Sequence, residues 1–192
     1  MLIDGTKLTP EDRKHDGYVE SRWLEKRPAG SSYFFAYALA YKLSKDKLMW
    51  DMVRKIGRGL DLGDFGEEPG RSTGINFSTT SNDPLLIFGL LELWEGTKSD
   101  SYLKLAQKIA DNALETRVTN GFFVQSKDHV NAKFDDPLPL ALLHLRAAIL
   151  GLPQKPPVYW LSRGYLHCPY DGKGRTYDHA VIYSRLRGEP EP

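Results

Sequence analysis

With one cysteine, Cys168, the chain can form no internal disulfide and no multi-thiolate metal site. It also lacks a dominant charge. Lys and Arg number 26 against 25 Asp and Glu, for a net charge of +1, so bulk electrostatics give no reason to bind nucleic acid or a membrane surface, and any basic patch must be local. No apolar run approaches the roughly 20 residues that cross a bilayer. Met1-Leu2-Ile3 leads at once into Asp4 and Gly5, which is no signal-peptide pattern. A phosphate-binding glycine loop, a serine elbow and a cysteine–histidine nucleophile signature are missing too.

What the chain has is an ordinary globular composition, 41% hydrophobic and 27% charged over 192 residues, enough for one domain with its own core. The stretch 82–114 organises it. Asp83 is a good N-cap and Pro84 sits at the first helical position, where no N–H is needed. The helix that follows is apolar nearly all round, as expected of an element buried on most sides. After a turn at Glu95-Gly96-Thr97-Lys98, Tyr102, Leu105, Ala106, Ile109, Ala110 and Ala113 recur at three- and four-residue steps opposite Lys104, Lys108 and Asp111, which predicts an amphipathic outer helix. The same inner–turn–outer unit stands upstream. Ser31 or Ser32 is expected to cap an apolar helix through Leu43, Ser44-Lys45-Asp46 turns the chain, and residues 47–60 are amphipathic. A third inner helix is expected over 140–150, opened by Asp136-Pro137-Leu138, which repeats Asp83-Pro84-Leu85 at a spacing of 53 residues. A period of about 50 residues holding two helices predicts stacked α-hairpins.

Between the units lie the loop 61–81, rich in glycine, and the segment 121–135, where Asn120-Gly121 signals a turn and Phe122-Phe123-Val124-Gln125 a short strand. Residues 1–31 are polar, with Thr9-Pro10 able to open a short helix. The third unit is broken by Pro153, Pro156 and Pro157, and 164–183 is an irregular segment rich in aromatics and glycine.

The repeat puts the loops that precede each inner helix (18–31, 61–81 and 121–135) on one rim, beside helix N-termini that favour anions. Arg22, Lys26, Arg27, Arg71, Lys127, His129 and Lys133 would make that rim cationic, Asn76, Asn82 and Asn131 would bond hydroxyls, and Trp23, Tyr33, Phe77 and Phe122 would stack on a sugar ring. The expected ligand is anionic and hydroxyl-rich. Arg22, Arg27, Tyr33, Arg71, His129 and Lys133 are the candidate contacts, and Arg175, Tyr177 and His179 form a second cluster. His144 reads as a core residue. His167 and His179 match no standard metal-ligand spacing, so no metal ligand is assigned.

Residues 33–43, Gly59-Leu60-Asp61-Leu62-Gly63-Asp64, 102–112 and Gly174-Arg175-Thr176-Tyr177-Asp178-His179-Ala180 resemble bacterial pectate lyases with a helical (α/α) toroid, similar to the second polysaccharide-lyase family. The resemblance runs from about residue 8 to residue 187. It implies an all-α partial toroid, one domain over 1–192, corresponding to the C-terminal part of a larger protein that is secreted or periplasmic. It also implies β-elimination of polygalacturonate, in which a divalent metal and basic side chains neutralise the uronate carboxylate before an arginine removes the C5 proton. The family's metal ligands and base lie in an N-terminal half and map onto no residue here, so this chain is expected to supply a cationic part of the substrate cleft. Two rival readings are a non-catalytic helical-repeat binding module, and an (α/α)-toroid glycoside hydrolase using Asp64 with Asp135 or Asp136.

Overall fold

The computed structural model describes residues 29–71, 74–124, 126–127, 136–153 and 156, and the structural statements below concern those residues. Five α-helices carry them: α1 (Ser31–Ser44), α2 (Lys47–Gly59), α3 (Pro84–Thr97), α4 (Asp100–Arg117) and α5 (Leu138–Ile149). Two very short antiparallel ladders accompany the helices. β1 (Gly63–Asp64) pairs with β2 (Gly74–Ile75), and β3 (Val118–Thr119) with β4 (Phe122–Phe123). The fold is therefore all-α, with hairpins α1–α2 and α3–α4 followed by a third inner helix.

Local chemistry sets the boundaries. Lys45 and Lys98 take the left-handed conformation just past α1 and α3 and donate their N–H groups to the Tyr41 and Trp94 carbonyls, which stops each inner helix. Asp46 then accepts from the N–H groups of Leu48 and Met49 at the start of α2. Asp83 accepts from Leu85 N–H at 2.8 Å, with Pro84 first inside α3, and Asp136 accepts from Leu138 N–H at 2.9 Å, so the repeated Asp-Pro-Leu makes the same bond twice, although Pro137 rather than Asp136 holds the cap position of α5. The start of α1 departs from expectation. Gly30 holds the cap position with no side-chain bond, and the Ser31 hydroxyl reaches across to donate to Asp83 at 2.6 Å. Serine prefers the shared carboxylate because a charged acceptor makes the stronger bond.

These long-range bonds fix helix direction. Ser31 meets Asp83 at the two N-termini, while Lys42 reaches Glu95 at 3.1 Å and Lys45 donates to the Gly96 carbonyl near the two C-termini, so α1 and α3 lie side by side and parallel. They approach closely because α3 has glycine where it meets α1. A Cβ on Gly89 would sit 2.7 Å from the Phe34 ring. Arg117, at the end of α4, pairs with Asp136 at the start of α5, and Asn82 bonds Thr116. The N-termini of α3 and α5 therefore share one end, and all three inner helices start on the same rim.

The loop 61–81 behaves differently from expectation. It leaves the rim after α2, where Asn76 bonds Asp61 and Ser81 donates to the Leu60 carbonyl. It then runs down the outside of the stack. The Trp50 indole N–H, near the start of α2, donates to the Gly66 and Glu67 carbonyls, and a Cβ on Gly70 would lie 3.2 Å from Thr97 at the end of α3. This strap returns to Thr79 and Ser81, whose carbonyls accept from the buried Asn112 side chain of α4. Leu62 and Phe65 anchor it, both fully buried. The Phe65 ring lies 6.0 Å from Phe34, 6.5 Å from Trp50 and 5.4 Å from Tyr102, so it joins α1, α2 and α4. Full burial of such a ring stabilises by about 2–3 kcal/mol.

Candidate functional site

The rim where the inner helices begin is the candidate site, and its described part is more anionic and more fully bonded than the sequence suggests. Asp61 takes the left-handed conformation and bonds Asn76. Asp83 divides its two oxygens between Leu85 N–H and Ser31. Asp136, whose side chain is fully buried, divides its own between Leu138 N–H and Arg117. The expectation that inner-helix N-termini attract an anionic ligand is thus corrected for α3 and α5, because each already holds a carboxylate of its own. At α1 the cap position is Gly30, which brings no carboxylate. Beside these groups, Asn120 and Gly121 turn β3 into β4 as expected and leave Phe122 exposed.

Of the nine candidate contacts, the described residues include two. Tyr33 lies in the first turn of α1 at the rim, 60% exposed. Arg71 is a correction. It follows Gly70, which abuts the far end of α3, and a 14-residue helix is about 21 Å long. Its guanidinium is engaged by Glu68 at 2.9 Å on the outer surface. The strap carries it there because burying Leu62 and Phe65 between the helices outweighs keeping the loop on the rim. Arg22, Arg27, His129, Lys133, Arg175, Tyr177 and His179 lie outside the described residues, as do Lys26, Trp23 and Asn131. The short helix expected near Thr9 also lies outside them.

Of the carboxylates of the hydrolase reading, Asp64 and Asp136 hold structural posts instead, and Asp135 lies outside the described residues. Asp64 accepts from Gly66 N–H at 3.0 Å and from Arg58 and Arg54 on α2, and the Gly66 bond, followed by the Arg58 bond, holds its pKa below the ordinary carboxylate value. Asp136 is locked by Arg117 in the core. Neither faces a cleft with a free oxygen, so the pairing of Asp64 with Asp136 is set aside. Among the described residues no group of three or more His, Cys, Asp or Glu side chains is placed to hold a metal ion. Those residues do not fit the divalent cation implied by the resemblance.

Two features escaped the sequence. Lys42 of α1 sits between Glu92 and Glu95 of α3. Burial alone would lower its pKa, but the bonds and charges of the two glutamates outweigh burial and raise it. The signal was available, since Lys42 and Glu95 stand 53 residues apart, one repeat. The second is an open groove of about 670 Å³ between α4 and α5, lined by Ala110, Leu114, Leu142, Leu145 and Ile149 with Arg146 and Asp111 at its edges. His144, read as a core residue with one hydrogen bond, packs edge-on against Phe88 at 5.4 Å, and its buried Nε2 finds no partner among the described residues.

Comparison with known proteins adds a family to this geometry. The family described as periplasmic pectate lyase matches residues 1–169. A pectate disaccharide-lyase of Dickeya dadantii (strain 3937) is 27% identical over 188 residues, which cover 95% of this chain and 32% of the relative. The chain therefore spans about a third of the length of that curated relative.

Proposed function

This chain belongs to the periplasmic pectate lyase family, and on that premise we propose that it forms part of an (α/α)-toroid enzyme that cleaves polygalacturonate by β-elimination, supplying substrate contacts rather than the reacting groups. The observation that carries the reading is the family match over 169 of 192 residues. The parallel inner helices, which start on one rim, are consistent with a toroid.

In this reading the uronate carboxylate must be neutralised before its neighbouring C–H can release a proton. The described rim is not cationic enough for that, because Asp83 and Asp136 occupy it, Arg117 is spent on Asp136, and the exposed Lys127 is a single charge. The work falls to Arg22, Arg27, His129 and Lys133, with Arg175, Tyr177 and His179 as a second cluster. Tyr33 offers an exposed ring on the same rim for stacking on a sugar. Arg71, at the far end, is left out. A divalent metal belongs to the whole enzyme in this reading, as does action in the periplasm or outside the cell. No helix among the described residues is long and apolar enough to cross a membrane.

The test is calorimetric titration of the 192-residue chain with oligogalacturonate and with a neutral galactan oligomer of equal length. Binding of the charged oligomer alone, weakened by salt and by Arg27→Ala or Lys133→Ala, is expected. Equal binding of both, or of neither, would overturn the reading in favour of a binding module for another ligand. No unsaturated uronate should appear when polygalacturonate and a divalent metal are added to this chain alone; its appearance would place the reacting groups within these residues.

A further inference from the structure

Exposed apolar side chains differ between the two ends of the stack. Among the described residues the exposed aromatics are Tyr33, Phe77 and Phe122, at 60%, 45% and 63%, and all three stand on the rim. Tyr33 is in the first turn of α1, Phe77 follows Asn76, which bonds Asp61, and Phe122 is on the β3–β4 hairpin that follows α4. At the far end the exposed apolar residues, Leu43, Leu48, Leu150 and Leu152, are aliphatic. One exposed ring is ordinary. Three on one rim, with no exposed ring at the other end, form a pattern that core packing does not produce.

Phe122 is the best braced of the three. Asn120 and Gly121, at φ 52° and 81°, make the tight turn of a two-residue hairpin. The ladder sets Phe122 opposite Thr119, and alternation sends Phe123 onto the core and Phe122 outward. At the base of the hairpin Val124 donates its N–H to the Arg117 carbonyl at 2.9 Å, and Asp136 holds the Arg117 side chain. The steps from Tyr33 to Phe122 present neutral polar groups. Ser31 ties α1 to Asp83, whose two oxygens are both engaged. Asn82 then ties α3 to α4 by donating to the exposed Thr116 hydroxyl at 3.0 Å, which leaves its amide oxygen to accept from a ligand hydroxyl.

Resting on the reading that the chain contacts polygalacturonate, we propose that this strip binds the sugar rather than its acid group. Phe122 and Tyr33 stack on the C–H faces of different residues of one oligomer, and Asn82 with Thr116 takes hydroxyls between them. The negative face of an aromatic ring attracts C–H groups and needs no counter-charge. The uronate carboxylates are thereby left to the basic residues, and the two sets of contacts respond differently to salt. At about tenfold in affinity per ring, stacking tunes binding without holding a neutral oligomer by itself.

The test is calorimetric titration of the full chain with a long oligogalacturonate at low and raised salt, for the wild type and for Phe122→Ala, Phe122→Leu and Phe122→Trp. The alanine and leucine variants should bind about tenfold more weakly, by the same factor at both salt concentrations, whereas the deficit of Arg27→Ala should shrink as salt rises. Phe122→Trp keeps a planar ring and should bind like the wild type. Because Phe122 is exposed, unchanged thermal midpoints are expected for all three, and they separate a lost contact from a lost fold. A wild type that does not bind would overturn this inference together with the reading it rests on. A wild type that binds would overturn the inference alone if Phe122→Ala or Phe122→Leu bound as tightly, if Phe122→Trp bound as weakly as alanine, or if the alanine deficit faded with salt.

Discussion

Asp83 and Asp136 open the same tripeptide and accept the same bond, from the N–H two residues on, at 2.8 and 2.9 Å. Their other oxygens lead different lives. Asp83 takes a neutral hydroxyl from Ser31, on a neighbouring inner helix. Asp136 takes the guanidinium of Arg117, whose side chain is 11% exposed against 0% for its own. One is a half-buried joint between parallel helices. The other is a buried ion pair that ties an outer helix to the next inner one. A motif thus fixes a local shape, while burial decides how much depends on it.

The largest effect that separates the two joints should come from Arg117. Arg117→Ala leaves a carboxylate in the core without its counter-charge, and loss of one partner of a buried pair costs about 3–5 kcal/mol. Urea denaturation should show that loss as a lower midpoint at an unchanged slope. The double variant Arg117→Leu with Asp136→Asn keeps an acceptor for Leu138 N–H and removes both charges, so it should recover most of the loss. If Arg117→Ala costs no more than a surface substitution, the contrast between the joints fails.

The sequence showed both start signals and hid both joints: Ser31, expected to cap its own helix, bonds Asp83 across 52 residues. Asp83-Pro84 is a start signal readable from neighbours in the chain, and so are the turn around Lys45, the Asn120-Gly121 turn and the alternation of inner and outer helices; the stop of α3 is not, since Glu95, Gly96 and Thr97, expected in the turn, stay helical and the chain leaves the helix only at Lys98. The pairing of Arg117 with Asp136 spans 19 residues, and nothing local distinguishes that arginine from a solvated one. The strap was hidden for a related reason. Its glycines and charges read as an open rim loop, but two apolar residues among them, Leu62 and Phe65, find a slot between helices. That slot exists only after the hairpins stack, so it also moved Arg71 away from the site where its charge alone had placed it.

The milder joint gives a smaller effect. Ser31→Ala removes a hydroxyl from a part-buried carboxylate that keeps its backbone donor and can take water in exchange. A loss of about 1 kcal/mol follows, several times less than at Arg117. Asp83→Ala loses the cap itself and should cost about 1–2 kcal/mol. Thermal unfolding of the two variants, and of the pair combined, would show whether Ser31 acts through Asp83. If it does, the double variant should be no less stable than Asp83→Ala.

A third carboxylate extends the comparison to pH, with the smallest effect. Asp64 makes the same bond to the N–H two residues on, here Gly66, and its arginine partners stand at a surface where its side chain is 43% exposed. Those donors lower its pKa below the ordinary value, the Gly66 bond first. A depressed folded-state pKa means stability that is present above the unfolded value and lost as pH falls through the folded one. Wild type should therefore exceed Asp64→Asn by a constant margin near neutral pH, and the margin should shrink once the solution is more acidic than the ordinary carboxylate range. Exposure and salt screen these charges, so added salt should narrow the neutral-pH margin but barely change the deficit of Arg117→Ala. A margin at Asp64 that ignored both acid and salt would mean that its backbone bond alone matters, and that the arginines of α2 contribute nothing to holding the strap.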